Sequence, residues 1–163
     1  MKLLKPMAAA ALVVSVLATA SPAVADAPAK PPRETCSSVH ATGSGVSNPT
    51  TGETTADIAA GHGLPIGTTY GAFTISGGTP PVFEIAGPIV FTAMLGPYPI
   101  GTLTITTTGT FDTQSGAFTS SGPITASSGI LRGVTGRLTF AGIEDLTTHR
   151  FTETVTGTLC AKR

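Results

Sequence analysis

The segment Thr148–Cys160, THRFTETVTGTLC, alternates strictly, and this period constrains the fold more than any other property of the chain. One parity carries His149, Phe151, Glu153, Val155, Gly157 and Leu159; the other carries Arg150, Thr152, Thr154, Thr156 and Thr158. Successive side chains of a strand point to opposite faces, so the segment reads as a strand with one apolar and one wet face. Threonine suits the wet face because its β-branch favours the pleat while its hydroxyl tolerates water. The same period puts Val134, Gly136, Leu138 and Phe140 together, then Leu103, Ile105, Thr107 and Phe111. It also groups Phe83, Ile85, Ile89 and Phe91, and pairs Phe73 with Ile75. Glu84 falls on the opposite parity from Phe83 and Ile85, which assigns it to solvent.

Hairpin signals separate these strands: GGTPP at Gly77–Pro81, GPYP at Gly96–Pro99, DTQSG at Asp112–Gly116 and EDLTT at Glu144–Thr148. The spacing describes an antiparallel meander of seven to eight strands, all-β. Such a sheet hides its edges by closing into a barrel or folding into a sandwich. Gly87, Gly109, Gly122 and Gly157 interrupt strands and are expected to mark bulges or bends. A helical repeat is absent from the rest of the chain, and only TTADIAAGHG has room for a turn or two.

The N-terminus obeys a different pattern. Lys2 and Lys5 precede the apolar run MAAAALVVSVLATA, and Ala23 and Ala25 supply the small residues of a signal-peptidase site. The run is shorter than the roughly 20 residues a membrane-spanning helix needs. Residues 1–25 therefore read as a signal peptide cleaved before Asp26, residues 26–35 as a Pro-rich tail, and residues 36–163 as one barrel domain. The expected location is extracellular, with no membrane attachment after cleavage. In an exported chain the two cysteines, Cys36 and Cys160, are expected to form a disulfide. Charged residues make up only 11% of the chain, against roughly 25% in an ordinary domain, and the net charge is zero. With no basic run, nucleic acid and anionic membranes are poor partners.

SSGILRGVTGRLTF, Ser127–Phe140, brings Gly129, Gly133 and Gly136 close together, as a phosphate loop does. A phosphate loop passes into a helix whose N-terminus faces the anion, whereas here RLTFAG continues as a strand and the lysine is missing. The glycines read as a tight corner between neighbouring strands. That corner resembles the G-T-G-x-F-x-G-A-x-G signature of the allene oxide cyclase and dirigent superfamily, particularly its secreted actinobacterial members. Gly129, Leu131, Gly133, Val134 and Gly136 fall on its glycine, aromatic, glycine, alanine and glycine positions, while Ser127 replaces the first glycine. The flanking pattern and the ending FTETVTGTLC extend the likeness over roughly Tyr70–Cys160. It implies an eight-stranded antiparallel up-and-down barrel, often trimeric, around an apolar pocket. Enzymes of that kind steer the cyclisation or coupling of a hydrophobic molecule without a cofactor.

Few residues offer chemistry. His149, Phe151 and Glu153 share one strand face and are the expected ligand-binding set. A carboxyl among Phe151 and Val155 loses its hydration, which raises its pKa and suits it to acid–base work, so Glu153 is the one catalytic candidate. The plain alternative places these side chains at a barrel mouth, solvated or paired with an arginine. Three histidines, His40, His62 and His149, have no metal-ligand spacing, so neither a metal nor a cofactor is expected. Asp57 and His62 lie in Asn48–Gly67, the longest segment without an evident period and a candidate lid, with no serine in a nucleophile setting. The expectation is a binding protein for a small apolar molecule. A cofactor-independent isomerase or cyclase and a structural surface protein are the alternatives.

Overall fold

The computed structural model describes residues 34–162; the expected signal peptide and most of the Pro-rich tail lie outside them. Nine strands follow in order: β1 Glu34–Asn48, β2 Glu53–Ala60, β3 Leu64–Ala72, β4 Thr74–Thr79, β5 Val82–Leu95, β6 Tyr98–Asp112, β7 Ala117–Ser127, β8 Thr135–Asp145 and β9 Arg150–Lys162. All neighbours run antiparallel, in the order β3-β2-β1-β9-β8-β7-β6-β5-β4. An additional β3–β5 pairing, from Gly67 opposite Ala93 to Gly71 opposite Ile89, closes the sheet into an eight-stranded barrel. The short β4 carries on where β3 stops and pairs with the first half of β5, Thr74 lying opposite Ala86 and Thr79 opposite Val82. Between β3 and β4 the Phe73 amide donates to the Gly52 carbonyl.

The period-two reading sorts inside from outside along β6, β8 and β9 as expected, whereas Ile75, paired with Phe73, is exposed. Leu103, Ile105 and Thr107 of β6, Leu138 and Phe140 of β8, and Phe151, Glu153 and Val155 of β9 are all buried. Glu84 is exposed. Cys36 and Cys160 face each other across β1 and β9, with Cα atoms 4.0 Å apart, and are joined by a disulfide. The glycine corner does join two neighbouring strands: after β7 a 3-10 turn at Gly129–Leu131 leads into β8. The Ser127 hydroxyl accepts the Gly133 amide there. Gly129 and Gly133 take φ values of 59° and 80°, a left-handed region that costs glycine little.

Two expectations need correction. The segment Asn48–Gly67 is no irregular lid: it holds a turn, all of β2, a 3-10 turn at Gly61–Gly63 and the start of β3. Its inward positions, Thr54, Ala56 and Ile58, are too small and too mixed for their period to stand out from TTADIAAGHG. The strand glycines also do not mark bulges. Register shifts fall at Ile58/Ala59, Ile75/Gly77, Ala93/Met94 and Thr104/Ile105, away from Gly87, Gly109, Gly122 and Gly157. Gly109 and Gly122 are instead points of close strand approach, where a Cβ would run into the carbonyl oxygens of Thr119 and Thr106.

Candidate functional site

Small and large side chains alternate around the barrel wall. The inner face of β1 is Ala41, Gly43, Gly45 and Ser47, and its neighbour β9 presents Phe151, Glu153 and Val155. The large β9 side chains occupy the room that β1 leaves. A Cβ on Gly43 would stand 2.7 Å from both Cγ and Oε1 of Glu153, and one on Gly45 would stand 2.7 Å from Cζ of Phe151. Gly142 of β8 flanks Glu153 on its other side, opposite it in register. The carboxyl thus lies in a gap between two glycines.

Toward one end of the barrel the interior is packed by Leu103, Ile105, Leu138, Val155, Ala41 and Ile58. Toward the other it is hollow. A cavity of about 360 Å³ opens there, past Asn48, Pro49 and Gly52 of the β1–β2 turn and Thr113 of the β6–β7 turn. Six of the chain's seven phenylalanines line it: Phe73, Phe83, Phe111, Phe118, Phe140 and Phe151. Phe118 and Phe151 meet edge to face, with ring centroids 5.7 Å apart, the favoured arrangement for two aromatic rings. Glu153 also lines the cavity and is 9% exposed. Burial pushes its carboxyl up from the ordinary 4.5 to about 7, because an apolar wall solvates the charged form poorly.

No known protein-family model matches the chain, and neither does any curated protein. Solved structures do match, two dirigent proteins among them. The pterocarpan synthase dirigent protein GePTS1 matches at a TM-score of 0.58 and 12% identity, over 81% of this chain and 93% of that one. The pterocarpan synthase dirigent protein PsPTS1 matches at 0.57 and 14%, over 79% of this chain and 97% of that one. The fold is a dirigent-like barrel. At these identities the likeness establishes architecture alone.

Within the dirigent-like barrel the expected site residues separate. Phe151 and Glu153 line the cavity together. His149 leaves their face: it sits in the β8–β9 turn with φ at 54°, outside the strand that was expected to carry it. The cause is the turn itself. Asp145 accepts the amides of Thr147 and Thr148 on Oδ1, and the His149 amide closes the turn on the Asp145 carbonyl. These hydrogen bonds hold the Asp145 carboxyl below its ordinary range.

A residue that the sequence reading missed takes the place intended for His149. Glu144, at the end of β8, lines the cavity at its rim; its Oε1 accepts the Ser47 hydroxyl at 2.6 Å and lies 3.0 Å from Nδ1 of His149. The signal was present, since Leu138, Phe140, Gly142 and Glu144 share a parity, but EDLTT was read as turn and the count stopped short. Phe118 was missed because β7 has small residues and a proline around it. His40 is exposed on β1 and His62 occupies the 3-10 turn between β2 and β3. Among the described residues no group of three or more His, Cys, Asp or Glu side chains is placed to hold a metal ion. No helix among them is long and apolar enough to cross a membrane.

Proposed function

We propose that this chain is an exported carrier that holds one small apolar molecule inside the barrel. The observation that carries the reading is the phenylalanine-lined cavity of about 360 Å³. Ligand pockets are of this size and character: concave, mostly aromatic and aliphatic, with a few polar groups to fix orientation. A barrel with a purely structural role would fill this space with side chains, as the opposite end does. Export is supported by Lys2, Lys5, the apolar run and the Ala23–Ala25 site, and by a disulfide of the kind that persists in oxidising surroundings. Assembly as a trimer, and kinship with the secreted actinobacterial branch, rest on the sequence resemblance over roughly Tyr70–Cys160, the glycine corner first.

One observation favours a second reading, a cofactor-independent isomerase or cyclase of the allene oxide cyclase type. Glu153 is a buried carboxyl whose pKa, about 7, suits proton exchange near neutrality. Native mass spectrometry of the protein, after exposure to a crude extract of lipids and small metabolites, tests both. The carrier reading expects one retained adduct per chain, recovered unchanged. Recovery of a rearranged isomer, lost in Glu153→Gln, would establish the enzyme, and the absence of any retained adduct would refute both readings.

A further inference from the structure

The charge of the cavity narrows the ligand. Its lining includes two carboxyl groups, Glu153 inside and Glu144 at the rim, and among the described residues no lysine, arginine or histidine. Around them stand six phenylalanine rings, whose faces are the negative pole of the ring quadrupole. Glu144 has His149 beside it at the rim, but no basic side chain lines the cavity around Glu153, and a carboxyl set among aromatic rings is complementary to one chemistry.

We propose that the ligand of this cavity is an apolar organic cation, an amine or quaternary ammonium carried on a hydrocarbon body. The proposal rests on the carrier reading and deepens it. The hydrocarbon body packs against Phe118, Phe140 and Phe151, and the positive head lies against the Glu153 carboxyl and neighbouring ring faces. Glu144 is held at the rim by Ser47 and His149, where it draws the head inward as it enters. An apolar anion meets repulsion from both carboxyls, and a neutral molecule gains no charge attraction from them.

The surroundings of Glu153 determine how binding depends on pH. Around it stand Gly43 of β1, Ile58 of β2 and Gly142 of β8, and the same cavity is lined by Glu144 of β8 and by Phe118 and Ser120 of β7. Glu144, at the rim with His149 bound to it, is the other titratable group lining the cavity. His40 on β1, Asp57 on β2 and Arg150 on β9 itself are exposed to solvent. In the empty cavity Glu153 is half protonated near neutrality, and a bound cation draws it to the ionised form. Affinity for a cation therefore rises with pH through this range, while affinity for a neutral body stays level.

The test compares three probes on one scaffold by calorimetric titration: phenylbutyltrimethylammonium, phenylbutanol and phenylbutyrate. At about pH 8 the cation is expected to bind at least about tenfold more tightly than the alcohol, with the carboxylate weakest, and Glu153→Gln should bring the cation-to-alcohol ratio to within about twofold of unity. The wild-type pH profile reads the same contact without a substitution: lowering the pH to about 5 should weaken the cation and leave the alcohol unchanged. An alcohol that binds as tightly as the cation, or a ratio insensitive to both pH and Glu153→Gln, would overturn the cation assignment and leave the carrier reading standing. If none of the three binds, both are refuted.

Discussion

Glu153 concentrates the physical tension of this molecule, a carboxyl buried in an apolar wall with no basic side chain lining the same cavity. Its charged form is disfavoured on folding, so it binds a proton more tightly in the barrel than in the unfolded chain. The linkage has a definite sign: the contribution of Glu153 to stability is full below about pH 4.5, declines as pH rises toward 7, and levels off above, by about 3 kcal/mol in total. Thermal melts across this range should show the decline in wild type and none of this component in Glu153→Gln, which should melt above wild type at about pH 8. A wild-type melting temperature flat between the two limits would place the carboxyl in water. Gly43 tests the same site from the neighbouring strand. A methyl group there meets Cγ and Oε1 of Glu153 at 2.7 Å and Cδ1 of Ile58 at 2.9 Å, so Gly43→Ala should destabilise by about 1 to 3 kcal/mol in chemical denaturation. A neutral result would show that the glutamate side chain swings aside freely.

At the scale of the element, alternation does most of the work, and β8 gives the cleanest test. Phe140 is 2% exposed and faces the core and cavity, whereas Thr139, next to it, faces outward. Phe140→Ala should cost about 3 to 5 kcal/mol and Thr139→Ala within about 0.5. Equal losses would mean the strand is inverted. The inner faces of β5, β6, β8 and β9 were legible because large apolar residues mark every second position. Those of β2 and β7 were not, because alanine, serine and threonine serve both faces of a strand and leave no contrast to count. The site was half legible for a related reason. Phe151 and Glu153 followed from register, but extending the register through His149 ignored that Asp145 starts a turn, and stopping it before Glu144 ignored that a strand runs up to one. Periodicity says which face a residue takes but leaves open where the strand ends.

For the whole molecule the central fact is closure. The disulfide between Cys36 and Cys160 ties the first strand to the last across a separation of 124 residues. By the chain-entropy argument it stabilises the fold by about 4 to 5 kcal/mol, so the double variant Cys36→Ala/Cys160→Ala should lose that much while keeping its strand content by circular dichroism. An unchanged denaturation midpoint would show that the β1–β9 ladder alone holds the ends together. Barrel closure through β3 and β5 was not legible in detail, since no local signal announces that β3 breaks at Phe73 and hands its partner on to β4. Nor could any count of inward residues separate a filled barrel from a hollow one. Here the hollow lies at the end where Ser47, Thr54, Thr69 and Ser120 stand among the phenylalanine rings. The most direct measurement is a titration with the neutral fluorophore N-phenylnaphthylamine, in wild type and in Ser120→Phe. Ser120 is 3% exposed and lines the cavity, so the substituted ring would fill it. Wild type should show saturable one-to-one enhancement of emission, and folded Ser120→Phe should show none. No enhancement in wild type, or the same enhancement in both, would contradict a ligand-holding barrel.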